Sequence, residues 1–194
     1  MTVNKRLLIG SLAVAAAVIV AIGIVAANRN GSATATTDDN VTLKSSNDLS
    51  PTIGTNAAVT GRSLPKVNVQ TLAGDAFATA DLVGRPLVVN FWYSTCAPCK
   101  KELPAFAAVQ AKLGDKVRFV GVDSLPPSAH EEAFARDKGV QYELLYDTNG
   151  ALSSAIGVAA FPQTLFIDAT GKIVEQTGEL TADRLEQLIR TTLL

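Results

Sequence analysis

The chain of 194 residues holds one histidine, one methionine, one tryptophan and two cysteines. A structural zinc site takes four Cys, His or carboxylate ligands. Two cysteines and one distant histidine argue against such a site. His130 stands beside Glu131 and Glu132 and reads as a solvent-facing helix residue. Basic runs are missing too. Lys5-Arg6 and Lys100-Lys101 are the only basic pairs and the net charge is −1, which argues against a nucleic-acid partner. No cysteine closes the apolar run near the N-terminus, which excludes lipid attachment through an N-terminal cysteine. No internal repeat is visible. Every sulfur-dependent reaction of this chain must pass through Cys96 and Cys99.

One long apolar run is present. Residues 7–27, Leu7 to Ala27, carry no charge. As a helix rising 1.5 Å per residue they span about 30 Å, the thickness of a bilayer's hydrocarbon core. Lys5 and Arg6 precede the run, so residues 1–6 are expected in the cytoplasm and the rest outside. The favoured reading is an uncleaved single-pass anchor. The alternative is a cleaved signal peptide, for which the run is long but Ala33-Thr34-Ala35 is a passable cleavage site. Both export the remainder. Residues 28–60, rich in Ser, Thr, Asn, Asp and Gly, read as a flexible tether. Residues 61–194 read as one folded domain.

Within that domain, Val67, Val69 and Leu72 before Gly74-Asp75, with Phe77 after, predict a small hairpin. Leu87 to Tyr93 is a continuous apolar run expected of a strand buried on both faces. Cys96 to Leu113 predicts a helix, kinked by Pro104. Val117 to Val122 predicts a second buried strand. Ser128-Ala129-His130-Glu131 fits a capping box for a helix closed by Gly139. A short extended segment over Tyr142–Tyr146 and a short helix over Asn149–Ile156 follow. Thr164–Asp168 and Lys172–Thr177 flank a turn at Ala169-Thr170-Gly171. Thr181 caps a last helix with Leu185, Leu188, Ile189 and Leu193 on one face. This order predicts an α/β domain: a mixed central sheet flanked by helices, with chemistry beyond the carboxyl ends of its parallel strands.

Cys96-Ala97-Pro98-Cys99 falls at that place. A sulfur at a helix start faces unpaired backbone N–H groups and the positive end of the helix dipole, both of which favour thiolate. Cys96 is therefore expected to be the exposed, attacking sulfur, with Cys99 one turn inward to resolve a mixed disulfide. Pro98 stiffens the first turn, where its missing N–H costs nothing. Glu102, three residues after Cys99, is an exposed carboxylate on spacing alone; buried, it would exchange a proton with Cys99. Phe161-Pro162 precedes a strand. It is either an ordinary strand-start proline or a cis bond that presents the Phe161 backbone to a substrate strand. Asn90, in a buried strand, needs partners for its amide. Trp92 and Tyr93 belong to the core or to the rim of the site.

The segment Asn90-Phe91-Trp92-Tyr93-Ser94-Thr95-Cys96-Ala97-Pro98-Cys99-Lys100-Lys101-Glu102-Leu103-Pro104 resembles the active-site segment of membrane-anchored thioredoxin-like proteins of the TlpA/ResA type, within the wider redoxin/AhpC-TSA-like group. The resemblance runs from about Leu64 to the C-terminus. It includes Gly84-Arg85-Pro86, Gly121-Val122-Asp123, Phe161-Pro162-Gln163-Thr164, and Ile167-Asp168 with Gly171-Lys172-Ile173-Val174. It implies a thioredoxin fold with an N-terminal β-hairpin and an insertion before a cis Pro162. It also implies catalytic Cys96, Cys99 and Glu102, with Phe161, Pro162, Trp92 and Pro98 toward the substrate. The activity implied is an extracytoplasmic thiol:disulfide oxidoreductase that reduces protein disulfides, apocytochrome c among them, with electrons from a membrane thiol carrier. No bound cofactor is expected, because the dithiol itself carries the electrons.

Three positions depart from the family pattern. Thr95 stands where tryptophan is common, Asn90 replaces the buried aspartate of thioredoxins, and Ala97-Pro98 is not the Pro-His pair of strong oxidants. The alternative function is a disulfide-forming oxidase in exported protein folding, and potential decides between the two. Peroxide reduction would usually need threonine at position 93, which is Tyr93. A non-catalytic binding module or metal chaperone would need ligands beyond the dithiol.

Overall fold

The computed structural model describes residues 56–194. The expected membrane segment and most of the tether lie outside the described residues. Among the described residues no helix is long and apolar enough to cross a membrane.

Seven strands form one sheet: β1 Asn68–Gln70, β2 Ala76–Ala78, β3 Leu87–Trp92, β4 Arg118–Asp123, β5 Glu143–Tyr146, β6 Gln163–Ile167 and β7 Ile173–Thr177. Their spatial order is β2-β1-β5-β4-β3-β6-β7. β3, β4 and β5 run parallel, while β1, β6 and β7 pair antiparallel with their neighbours. Four α-helices are present among the described residues: α1 Ala97–Leu113, α2 Ala129–Asp137, α3 Ala151–Ile156 and α4 Ala182–Thr192. α2, β5 and α3 separate β4 from Pro162, the insertion expected there.

Alternation along β3 explains the two-sided core. Successive side chains of a strand point to opposite faces. Val88 and Trp92 pack with Cys99, Leu103, Phe106, Leu185 and Ile189 under α1 and α4. Leu87, Val89 and Phe91 pack on the other face with Leu82, Leu152, Ile156 and Leu165. All six residues of β3 are buried, as the unbroken apolar run requires. The result is a thioredoxin fold: a mixed sheet covered on both sides.

Several expectations shift. The helix begins at Ala97, with Cys96 as its cap, and continues through Pro104 to Leu113. Leu72 lies between β1 and β2 and is exposed, so it takes no part in the alternation. The hairpin register is set instead by Val69 opposite Phe77. The fold also starts before Gly61. Val59 is fully buried, and the Asn56 side chain accepts from Ala159 N at 2.6 Å and Ala160 N at 2.7 Å and donates to Ala160 O at 3.0 Å. Residues 61–64 then run antiparallel to residues 171–173, where β7 begins, with Ile173 N donating to Arg62 O and Leu64 N to Gly171 O, both at 2.8 Å.

Candidate active site

β3 ends at Trp92, and four residues later the chain enters α1. The site is built on that junction. Cys96 has extended backbone angles and caps α1, its sulfur accepting a hydrogen bond from Cys99 N at 3.2 Å. Cys96 N donates to Tyr93 O at 3.1 Å, closing the turn. Pro98 occupies the first turn, and Cys96 and Cys99 are joined in a disulfide. The N-terminal N–H groups of a helix have no partner within it. Here one of them points at sulfur, the geometry that favours a thiolate once the bond is reduced.

Cys96 is less open than expected. Its accessibility is 5%, against 0% for Cys99. The expected order holds, but the attacking sulfur is a nearly covered member of the core cluster rather than an exposed side chain. Thr95, Ala97 and Lys100 are exposed around it, and Tyr93, Pro98 and Phe161 are half-buried.

The Phe161–Pro162 peptide bond is cis. β6 begins one residue later, with Gln163 opposite Phe91 and Thr164 opposite Asn90 in an antiparallel register. That register brings the proline to the end of β3 that leads into the dithiol. The Phe161 ring meets the Tyr93 ring edge-on at 5.1 Å, which ties the cis-proline loop to the loop before Cys96.

Glu102 is 1% exposed, so the exposed carboxylate that spacing favours is instead buried, because β3 and the Leu180 segment cover that face of the helix. It shares the buried face of α1 with Cys99, Leu103 and Phe106. Its Oε1 accepts from Asn90 Nδ2 at 2.8 Å and its Oε2 from Leu180 N at 3.1 Å. Asn90 Nδ2 also donates to Thr164 Oγ1 at 3.2 Å. Burial pushes the Glu102 carboxyl up to about 8, against the lowering effect of the two N–H donors. The group therefore holds a proton at neutral pH and releases it in mild alkali.

Trp92 does not reach the surface. It is fully buried, stacked on Phe134 with ring centroids 6.0 Å apart, and Lys100 and Lys138 lie 5.9 Å and 5.6 Å from that Phe134 ring. Expected toward the substrate, it is a core residue on the α1 face of the sheet, because even positions of β3 point there. Pro162 is likewise buried, leaving Phe161 and Pro98 as the accessible members of that set.

Sequence reading missed one group beside the site. Glu131 does not complete a capping box. Its carboxylate accepts from Ser94 Oγ at 2.6 Å and Ser94 N at 3.2 Å, in the loop before Cys96. Buried Asp123 lies next to it at the end of β4. The only advance signal was an acidic residue closing an apolar strand. Among the described residues no group of three or more His, Cys, Asp or Glu side chains is placed to hold a metal ion.

Residues 60–176 match the AhpC/TSA family. The chain belongs to this family. Within the AhpC/TSA family it is similar to the thiol-disulfide oxidoreductase ResA of Bacillus thuringiensis (strain Al Hakam), with 30% identity over 132 residues covering 67% of this chain and 76% of that protein. A thiol:disulfide interchange protein DsbE homolog of Paracoccus denitrificans (strain Pd 1222) is 33% identical over 123 residues, covering 62% and 66%. A solved structure of a secreted Mycobacterium tuberculosis disulfide oxidoreductase homologous to E. coli DsbE superposes with a TM-score of 0.57 at 26% identity, over 65% of this chain and 96% of that one.

Proposed function

We propose that this AhpC/TSA-family chain is an extracytoplasmic thiol:disulfide oxidoreductase that reduces protein disulfides. The observation that carries the reading is the seat of Cys96: its sulfur caps α1, takes the Cys99 N–H, and lies within bonding distance of the Cys99 sulfur. Relatives named as thiol-disulfide oxidoreductases and interchange proteins support the same chemistry.

In the reduced protein, the Cys96 thiolate attacks one sulfur of a substrate disulfide. A Cys96–substrate disulfide forms and the other substrate sulfur leaves as thiolate. Cys99, once deprotonated, attacks the Cys96 sulfur and displaces the second substrate sulfur. The substrate gains two electrons and two protons, and the pair ends as the Cys96–Cys99 disulfide. Glu102, in the minor fraction that is carboxylate near neutral pH, takes the Cys99 proton, and this fraction grows as pH rises toward about 8; it shares the buried face of α1 with that thiol. Cys99 is fully buried, so bulk water cannot serve it directly. Substrate rests against Pro98 and Phe161 and pairs with the Phe161 backbone, which precedes β6.

Residues 7–27 anchor the protein with its N-terminus in the cytoplasm, and a membrane thiol carrier re-reduces the dithiol. The secreted relative supports export. Apocytochrome c is the substrate class that the family resemblance implies. Trapping tests the reading: Cys99→Ser should accumulate a mixed disulfide with its substrate through Cys96, and Cys96→Ser should not. Insulin reduction unchanged in either variant would remove catalysis from the dithiol. Potential sets the direction, with a tenfold change in equilibrium per about 30 mV. A value near or below that of thioredoxin fits a reductase, and one near a strong oxidant reverses the assignment.

A further inference from the structure

Ser128-x-x-Glu131 is a capping-box pattern, in which the glutamate folds back onto the cap N–H. Only half of it forms. Ser128 Oγ accepts from Glu131 N at 3.2 Å, but the Glu131 carboxylate turns inward, 4% exposed, and holds both polar groups of Ser94. Asp123 is fully buried beside it. Its Oδ1 accepts from Leu125 N at 2.8 Å, and its Oδ2 is buried without a donor among the described residues. Asp123 stands opposite Trp92, two residues before the Ser94 that Glu131 holds, so the Glu131 carboxyl is the acidic neighbour that raises it. For two carboxyl groups to share a hydrogen bond, one must carry a proton, and two adjacent buried negative charges are strongly disfavoured.

We propose that Asp123 and Glu131 share one proton and together clamp Ser94, fixing the loop that seats Cys96 on α1. They are positioning residues, separate from Glu102. The consequence for disulfide exchange rests on the oxidoreductase reading; the clamp itself is a property of the loop. Ser94 lies between Tyr93, whose carbonyl takes the Cys96 N–H, and Thr95. Hydrogen bonds weaken steeply with misalignment, and the helix-end field fades within the first turn. A released loop therefore carries the Cys96 sulfur away from the groups that stabilise its thiolate.

Burial raises the Asp123 carboxyl well above the usual range; the Leu125 N–H opposes this, and the Glu131 hydrogen bond and charge add to the rise. In alkali the shared proton leaves, the two charges repel, and the clamp opens. Other ionisable groups face the pair. His130 Nε2, on the exposed side, is 3.9 Å from Glu131 Oε1. Tyr146, on β5, senses the charges of Asp123, Glu132, Arg136 and Glu131. Arg136 is engaged by Glu132 and by the carbonyls of Val140 and Tyr142.

The test is the pH profile of Cys96 alkylation by iodoacetamide, in a Cys99→Ser, Glu102→Gln background where a single thiol reports and the other raised carboxyl is silent. The clamped protein should show two steps, one for the thiol and one for the pair. Adding Glu131→Ala should slow alkylation about tenfold at neutral pH, by raising the thiol's midpoint. Glu131→Gln should recover part of that loss, since its amide oxygen keeps one of the two Ser94 hydrogen bonds and its NH2 donates to Asp123. Asp123→Asn should erase the second step. Ser94→Ala, which leaves the buried pair intact, should slow alkylation several-fold and covers the case in which Glu131→Ala fails to fold. Profiles of Glu131→Ala or Ser94→Ala that superimpose on the parent overturn the proposal, as does a second step surviving in Asp123→Asn. These outcomes need no protein substrate. An inactive wild-type dithiol with the alkylation responses intact would sink the reductase reading alone.

Discussion

Asn90 on β3 and Glu102 on α1 meet in the interior, amide Nδ2 to carboxyl Oε1, at 2.8 Å. The contact joins the central strand to the helix that carries the dithiol. It opposes, without overcoming, the burial that keeps the only carboxyl on the buried face of that helix protonated. The first two predictions follow from it.

Glu102 is raised from 4.5 to about 8 by burial. A carboxyl raised in the folded state holds a proton that the unfolded chain has lost. Its contribution to stability is full below about 4.5 and disappears as pH rises through about 8. Glu102→Gln should flatten that decline. Urea unfolding midpoints measured across this pH range check it: the parent should lose stability toward pH 8 and the variant should lose less.

In catalysis the same substitution should act on the second step. Capture by Cys96 should proceed near the parent rate, whereas release of the mixed disulfide by Cys99 should slow about a hundredfold at neutral pH. Stopped-flow reduction of a disulfide peptide separates the two phases.

Gly121 lies under the site on β4. A Cβ there would stand 2.9 Å from Leu144 Cδ2 and 3.0 Å from Trp92 Nε1. Both neighbours are packed in the core, so Gly121→Ala should cost about 1–3 kcal/mol through overpacking. Chemical denaturation and the fluorescence of Trp92, the single tryptophan, read stability and displacement together.

The segment before Gly61 should also count. Val59 is fully buried and Asn56 holds the backbone of Ala159 and Ala160, just before Phe161. A chain starting at Gly61 should be about 2–4 kcal/mol less stable than one starting at Asn56, from lost apolar burial at Val59 and lost hydrogen bonds at Asn56. Thermal unfolding of the two chains decides it.

Much of the architecture was readable from local pattern. The apolar run Leu87–Tyr93 reads as a doubly buried strand, and the Cys-X-X-Cys after it as the opening of the next helix. The turn at Ala169-Thr170-Gly171 placed β6 against β7. What stayed hidden depends on partners far away in sequence. Glu131 satisfies a local capping rule equally well whether it returns to Ser128 or reaches Ser94, 37 residues back; the buried loop won it. Glu102 looked exposed because spacing gives a helix face but not what covers that face. Its amide partner comes from β3 and its backbone donor from Leu180. Trp92 reads from sequence as core or rim, and the family resemblance turns it toward substrate, but strand alternation turns it inward. The cis bond at Pro162 came only with the family resemblance, since proline at a strand start is ordinary.

The central claim is that the Cys96 sulfur is held ready as thiolate by the head of α1. Titration of that thiol in the reduced protein, followed by thiolate absorbance with Cys99→Ser as control, tests it most directly. A midpoint at least a full pH unit below the ordinary cysteine value of about 8.5 is the predicted result. A midpoint at or above that value would contradict the account.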